Sequence, residues 1–327
     1  MAFHILPLHH GDGTARAATS VPIAYSGAVL CWLLSAGVYI AARWAAAEMP
    51  PWTLCFWRLA LAFAILLPIV HRHFPAMADL LRARPVELVV VAALGLTFCQ
   101  GLIYLGLQYT TATTAGIIMA LSPIITMVLA HFLVSEKMSV RQSFGAALSM
   151  IGMMFIVARG DLAALVRMQI NPGELWIVCS AVTWGLYTVL LRRFKFDIER
   201  LPLLVLLLGL GAAVAAPLYA WELAFDERGA LDGSGLMALA YVAGPGGALM
   251  YYLYNWSVDA LGAARAGMLL YLQAAFVAVL AYLLLGESLH SFDVIGAAVI
   301  IAGLLTAMMP KRAIARRDSG GTSSTGS

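Results

Sequence analysis

TATTAGIIMALSPIITMVLAHFLVSEKMSVRQSFGAALSMIGMM, residues 111–154, aligns without a gap to GAARAGMLLYLQAAFVAVLAYLLLGESLHSFDVIGAAVIIAGLL, residues 262–305, at an offset of 151 positions. Identities include Ala115 with Ala266, Gly116 with Gly267, Leu121 with Leu272, Glu136 with Glu287, Gly145 with Gly296 and Gly152 with Gly303. They fall at small residues and at one inter-helix bend, where close helix approach or chain reversal limits the choice of side chain. Ala, Gly and Leu are common enough in apolar helices to match by chance, but the ungapped pairing of Glu136 with Glu287 is not explained that way. The chain reads as an internal duplication.

Around these two segments the sequence is 62% hydrophobic and 11% charged, with a mean hydropathy of +0.88. Soluble domains carry about 25% charged residues, and no soluble fold hides this much apolar surface. Apolar runs of membrane-crossing length place ten helices at 23–43, 51–70, 86–107, 111–134, 140–158, 174–193, 202–221, 235–257, 262–285 and 292–309. The fold class expected is all-α integral membrane, with ten transmembrane helices as two inverted five-helix repeats. Residues 1–22 form a polar N-terminal tail, 23–158 the first repeat, 159–173 an external linker, 174–309 the second repeat, and 310–327 a Gly/Ser/Thr-rich disordered tail. The first apolar run lacks a small-residue cleavage site and reads as a retained helix. Cys31, Cys55, Cys99 and Cys179 lie in apolar runs without metal-ligand spacing and read as small core residues.

Loop charge sets the orientation, because short loops rich in Lys and Arg stay on the cytoplasmic side. With the N-terminus inside, Arg16, Arg72, Arg82, Arg84, Lys137, Arg141, Arg192, Arg193, Lys195, Arg200, Lys311, Arg312, Arg316 and Arg317 are cytoplasmic. Only Arg43, Arg159, Arg167 and Arg228 are external. Both termini are therefore expected in the cytoplasm, with the chain in a bacterial inner membrane. Five helices per repeat is an odd number, so the second copy enters the membrane in the opposite sense. Carriers use such symmetry to open one midplane site to either compartment in turn.

The stretch LSPIITMVLAHFLVSE, Leu121 to Glu136, with Gly145 and Gly152, resembles the repeat signature of the EamA-type drug/metabolite transporter superfamily. LQAAFVAVLAYLLLGE, Leu272 to Glu287, with Gly296 and Gly303, resembles the same signature, and Trp32, the Pro51–Arg58 segment and Trp184 fit it too. The resemblance implies two five-helix halves and export of a small molecule, as amino acids, purines, cofactors and toxic organic compounds are exported by members. Gln273 and Ala274 replace Ser122 and Pro123, so the proline break of the fourth helix has no counterpart in the ninth.

Polar and aromatic residues at helical spacing supply the lining candidates. Gln100 and Tyr104 share a face of the third helix, and the duplication maps them onto Tyr251 and Asn255 in the eighth. Such groups face a partner or a water-filled cavity. Trp32, Ser35 and Tyr39 form a stripe on the first helix; Ser180, Trp184 and Tyr187 form one on the sixth. These walls suit flat or apolar bodies and cations alike. Ser122 and Gln273 complete the lining set. Pro123, Gly244, Pro245 and Gly246 mark hinges or kinks; Gly244–Gly247 cannot sustain regular helix bonding, which serves either a packing kink or backbone carbonyls exposed at a binding site. Arg58 sits about two turns below the external end of its helix, where its stem can snorkel outward or its guanidinium can meet an anion. Arg265 is read as snorkelling from the cytoplasmic start of the ninth helix. Glu136 and Glu287 are read as capping the helix that follows each.

None of the 17 acidic residues falls mid-helix, so a carboxylate proton relay has no evident home, and facilitated export or coupling through an atypical group is expected. No nucleophile, paired acids or metal cluster points to an enzyme, and neither cofactor nor nucleic acid is implied. The partners expected are a small-molecule substrate and the lipid bilayer; monomer and homodimer remain equal alternatives. The leading substrates are amino acids, the alternative aromatic or cationic drugs.

Overall fold

The computed structural model describes residues 21–135, 139–157, 160, 171–225, 233–261 and 271–308, and among them every regular element is helical. The first half contains α1 (Val21–Ala45), α2 (Pro51–Leu66, extended by a 3-10 turn Leu67–His73), α3 (Phe74–Ala83), α4 (Pro85–Ala92) and α5 (Cys99–Leu107). It continues with α6 (Ala112–Met119), α7 (Ser122–Val134) and α8 (Val140–Val157). The second half contains α9 (Pro172–Phe194), α10 (Arg200–Phe225), α11 (Gly233–Ala243), α12 (Met250–Leu261), α13 (Tyr271–Leu280) and α14 (Ser291–Met308). Both tails, most of the linker, Glu136, Arg159, Arg167, Arg228 and Arg265 lie outside the described residues.

Among the described residues seven helical runs are long and apolar enough to cross a membrane, beginning at Pro22, Pro51, Pro85, Ala112, Pro172, Arg200 and Gly235. Three shorter apolar helices, Val140–Ile156, Leu272–Leu285 and Ser291–Gly303, fall where the fifth, ninth and tenth spans are expected. The second expected helix runs on past residue 70, because Pro68 is accommodated at the second position of a 3-10 turn, where its missing N–H costs no bond. The fourth is split at Ala120 and Leu121, with Pro123 at the second position of α7. Three runs contain π-helical turns: Ala93–Phe98 joins α4 to α5, Gly244–Leu249 joins α11 to α12, and Ala281–Leu285 ends the run that begins with α13. Numerous large apolar side chains are exposed, among them Phe132, Ile151, Trp221 and Leu284, as a lipid-facing surface requires.

The element ranges repeat at the offset seen in the sequence. Adding 151 carries α8 onto α14 end for end, the first π turn onto the second, and the start of α1 onto the start of α9. Partners repeat as well: α1 packs on α11–α12 and α13, α9 packs on α5 and α7, α2 lies on α10, and α8 on α14. The α8–α14 contact shows why the duplicated glycines are glycines. A Cβ on Gly152 would meet the Gly296 carbonyl at 2.8 Å, and one on Gly303 would meet the Gly145 carbonyl at 2.6 Å. The helices run antiparallel at this contact, and Ser149 adds a hydrogen bond to the Ile300 carbonyl at 3.1 Å.

Opposite directions also separate α1 and α9. The C-terminal end of α1 meets α5 through Arg43 Nη1, which donates to the Leu107 carbonyl at 2.8 Å. The N-terminal end of α9 arrives at the same end of the bundle, where Asn171 Nδ2 donates to the Tyr109 carbonyl at 2.9 Å. At the other end Arg84 donates to the Phe194 carbonyl and lies over the Phe194 and Phe196 rings, and His73 meets Glu199 at 3.5 Å. Arg43, counted as external, and Arg84, counted as cytoplasmic, thus lie at opposite ends.

Two carboxylates close the Arg43 end. Glu222 of α10 accepts the backbone N–H groups of Trp52 and Thr53 at 3.0 and 2.7 Å, and the Thr53 hydroxyl at 3.1 Å. Glu287 accepts those of Ala112 and Thr113 at 3.0 and 3.2 Å, and the Thr113 hydroxyl at 3.1 Å. Each satisfies orphan donors at a helix N-terminus where the dipole favours a negative charge. The expectation that Glu287 caps the following helix is corrected: it caps α6 in the other half, while Asp293 accepts the His290 N–H at the start of α14. The cysteine reading is corrected at one position: Cys31, Cys55 and Cys99 are buried, but Cys179 is exposed, turned off the packed face that holds Ile177, Ser180 and Ala181.

Candidate functional site

The depth of Arg58 follows from its place seven residues into α2, about 10 Å along a helix rising 1.5 Å per residue. Its side chain does not snorkel. It is 2% exposed and turns into the bundle, where α2, α5 and the second π turn converge. Nη1 donates to Gln100 Oε1 and, at 2.8 Å, to the Tyr104 hydroxyl; Nη2 donates to the Gly246 carbonyl at 3.2 Å. The guanidinium carbon lies 5.6 Å from the centroid of the Tyr251 ring. Snorkelling fails because neutral acceptors on α5 and the second π turn, with the Tyr251 ring of α12, already surround the head group.

Each partner is placed by local structure. Gln100 and Tyr104, four residues apart, present one face of α5. Gly246 stands in the wide π turn, whose altered bonding lets its carbonyl serve Arg58. No side chain there would fit: a Cβ on Gly246 would lie 2.4 Å from Val38 of α1. Tyr251 follows on α12. Tyr39 on α1 is buried within electrostatic reach of Arg58 and Tyr104.

Deeper toward the Arg84 end stand two aromatic pairs. Trp32 meets Tyr254 edge-on at 5.7 Å, and Trp184 packs on Tyr187 at 5.1 Å. Tyr187 lies on Gly95 of the first π turn and is within electrostatic reach of Tyr251 and Tyr254. Gln273 Nε2 donates to Ser35 Oγ at 2.9 Å, tying α13 to α1. Ser180 donates to the Cys99 carbonyl at 2.8 Å.

The structure therefore brings Arg58, Gln100, Tyr104, Tyr251 and Gly246 into one cluster, with Tyr39 beside it. Asn255 does not join them; its amide donates to the Tyr251 carbonyl of its own helix at 2.9 Å. Ser122 is buried, and its carbonyl accepts from Thr126 Oγ1 at 2.7 Å. Gly244 and Pro245 belong to the π turn, and a Cβ on Gly244 would meet nothing. Sequence reasoning missed Tyr241, whose hydroxyl donates to the Leu34 carbonyl at 3.1 Å across Gly37. Of the two readings of the Gly244–Gly247 cluster, a packing kink or carbonyls exposed at a site, the Gly246 carbonyl fits the second, since it accepts from Arg58. An apolar groove of about 420 Å³ between α2 and α10, lined by Phe56, Phe63, Leu206 and Leu210, offers no polar anchor and is not the candidate site. Among the described residues no group of His, Cys, Asp or Glu could hold a metal.

A helical bundle of this composition, with seven runs long and apolar enough to cross a membrane among the described residues, is that of a multi-pass membrane protein. The model of the EamA-like transporter family matches twice, over residues 22–158 and 171–309, and the chain belongs to that family. It is 26% identical over 268 residues to the uncharacterized transporter YyaM of Bacillus subtilis, covering 81% of this chain and 87% of the relative. An uncharacterized transporter of Archaeoglobus fulgidus is 26% identical over 275 residues, covering 84% of this chain and 93% of that one. A solved crystal structure superposes with a TM-score of 0.59 at 20% identity, over 88% of this chain and 98% of the other, which supports the fold.

Proposed function

We propose that the protein exports small metabolites across a bacterial inner membrane by alternating access between two inverted five-helix repeats, with both termini cytoplasmic. The observation that carries this reading is the reciprocal packing of α1 and α9, which run in opposite directions and hold equivalent partners. Two halves that can exchange shapes give one central site two openings. Amino acids are the leading substrates. The aromatic pairs Trp32–Tyr254 and Trp184–Tyr187 favour a second reading, efflux of aromatic or cationic drugs. The fixed positive charge of Arg58 opposes cations.

Counterflow in proteoliposomes tests the carrier reading. Vesicles preloaded with an unlabelled compound, from a panel of amino acids, organic acids and quaternary amines, should draw in the labelled form transiently above equilibrium. Absence of counterflow across the whole panel, with correctly inserted protein, contradicts it.

A further inference from the structure

The substrate class follows from the charges around Arg58, and this inference rests on the carrier reading above. The guanidinium stays protonated in any protein environment. Its four neighbours, the Gln100 amide oxygen, the Tyr104 hydroxyl, the Gly246 carbonyl and the Tyr251 ring, are all neutral. Among the described residues no carboxylate lies within ion-pair distance of it: Glu222 and Glu287 are engaged at helix N-termini. Two buried polar groups here also lack hydrogen-bond partners, Arg58 Nε and the Tyr251 hydroxyl. An unpaired buried ion is strongly unfavourable, and a tie between helices needs only neutral groups. A permanent cation held by dipoles, with a free donor and a free hydroxyl beside it, is a well of positive potential.

We propose that Arg58 is the anion anchor of the transport path and that the site takes small monoanionic carboxylates with a flat or apolar body. The carboxylate takes the Arg58 Nε–H and the Tyr251 hydroxyl, and the body lies toward Tyr39, Tyr187 and the Trp32–Tyr254 pair. No covalent chemistry is involved. An ammonium on the same skeleton meets no carboxylate among the described residues and adds a positive charge near Arg58. A plain carboxylate is therefore preferred to the amino acid of the same skeleton, and both to the amine.

Calorimetric titration of the detergent-purified full chain tests this with two isosteric series: 3-phenylpropionate, phenylalanine and 2-phenylethylamine; 4-methylpentanoate, leucine and isoamylamine. In at least one series the carboxylate should bind about ten-fold or more tighter than the amine, with the zwitterion between them, as loss of a charge-assisted contact implies. Arg58→Gln should abolish the preference, and Arg58→Lys should restore part of it; thermal melts of both variants confirm folding. Equal binding within both series, preference for an amine, no binding of any of the six, or an unchanged preference in folded Arg58→Gln overturns the proposal. If both substitutions unfold the chain, Tyr251→Phe decides: it should weaken the carboxylate and leave the amine unchanged, and equal effects on both overturn the proposal. Counterflow separates the two claims. Zwitterion or amine exchange without carboxylate binding leaves the carrier standing and overturns the anchor; carboxylate binding without exchange of any compound overturns the carrier, and with it the place of Arg58 on a transport path, leaving only an anion-binding site.

Discussion

Arg58 of α2 and Tyr104 of α5 are joined by a 2.8 Å hydrogen bond inside the bundle, with the hydroxyl accepting from a guanidinium 2% exposed. Removing that oxygen leaves a buried cation with one neutral acceptor fewer. Tyr104→Phe is expected to reduce transport about ten-fold, in line with a charge-assisted bond of about 1.5 kcal/mol. Counterflow rates normalised to inserted protein check it, and a wild-type rate removes Tyr104 from the path.

Gln100 and Asn255 separate in the structure although the duplication pairs their faces. Gln100→Ala removes an acceptor of Arg58, whereas Asn255→Ala removes a bond internal to α12. Transport should fall clearly in the first and change no more than about two-fold in the second, since a local bond contributes about 0.5 kcal/mol. The same assay reads both, with surface expression as the control for insertion.

Glu287 is half of the closure at the Arg43 end, capping α6 and lying 3.9 Å from Arg43 Nε. Glu287→Ala frees two helix N-terminal donors and is expected to cost about 1–2 kcal/mol. Thermal denaturation in detergent should show a lower midpoint, with Glu287→Gln between the variant and the wild type. An unchanged midpoint in Glu287→Ala would show that the cap contributes nothing.

Gly152 and Gly244 make opposite predictions. Gly152→Leu places a side chain where the Gly296 backbone already stands, so α8 and α14 separate and the folded yield drops in fluorescence-detected size exclusion. Gly244→Ala meets open space and should leave the yield unchanged. Overpacking at such contacts costs about 1–3 kcal/mol.

The helices were legible because a bilayer demands long apolar runs, and most described helices lie within a few residues of the runs expected. The duplication was legible from Gly145, Gly152, Gly296 and Gly303 because helix contact forbids larger side chains there. The π turn at Gly244–Leu249 left a trace in its Gly-Pro-Gly-Gly cluster; the equivalent turn at Ala93–Phe98 left none, since ordinary residues adopt it. Gln100 and Tyr104 could be read from four-residue spacing. The surroundings of Arg58 could not, because depth along one helix does not specify what three other segments bring. Glu287 was misassigned for the same reason: its donors lie 174 and 175 residues away in sequence.

Alternating exposure of one interior position tests the carrier account most directly. Ser35, buried on α1 and bonded to Gln273, is replaced by cysteine in a chain whose four native cysteines are substituted, and oriented vesicles are treated with a membrane-impermeant thiol reagent from either face. The account predicts labelling from both faces, slowed by a transported substrate. Labelling from one face only, or from neither while counterflow proceeds, would contradict it.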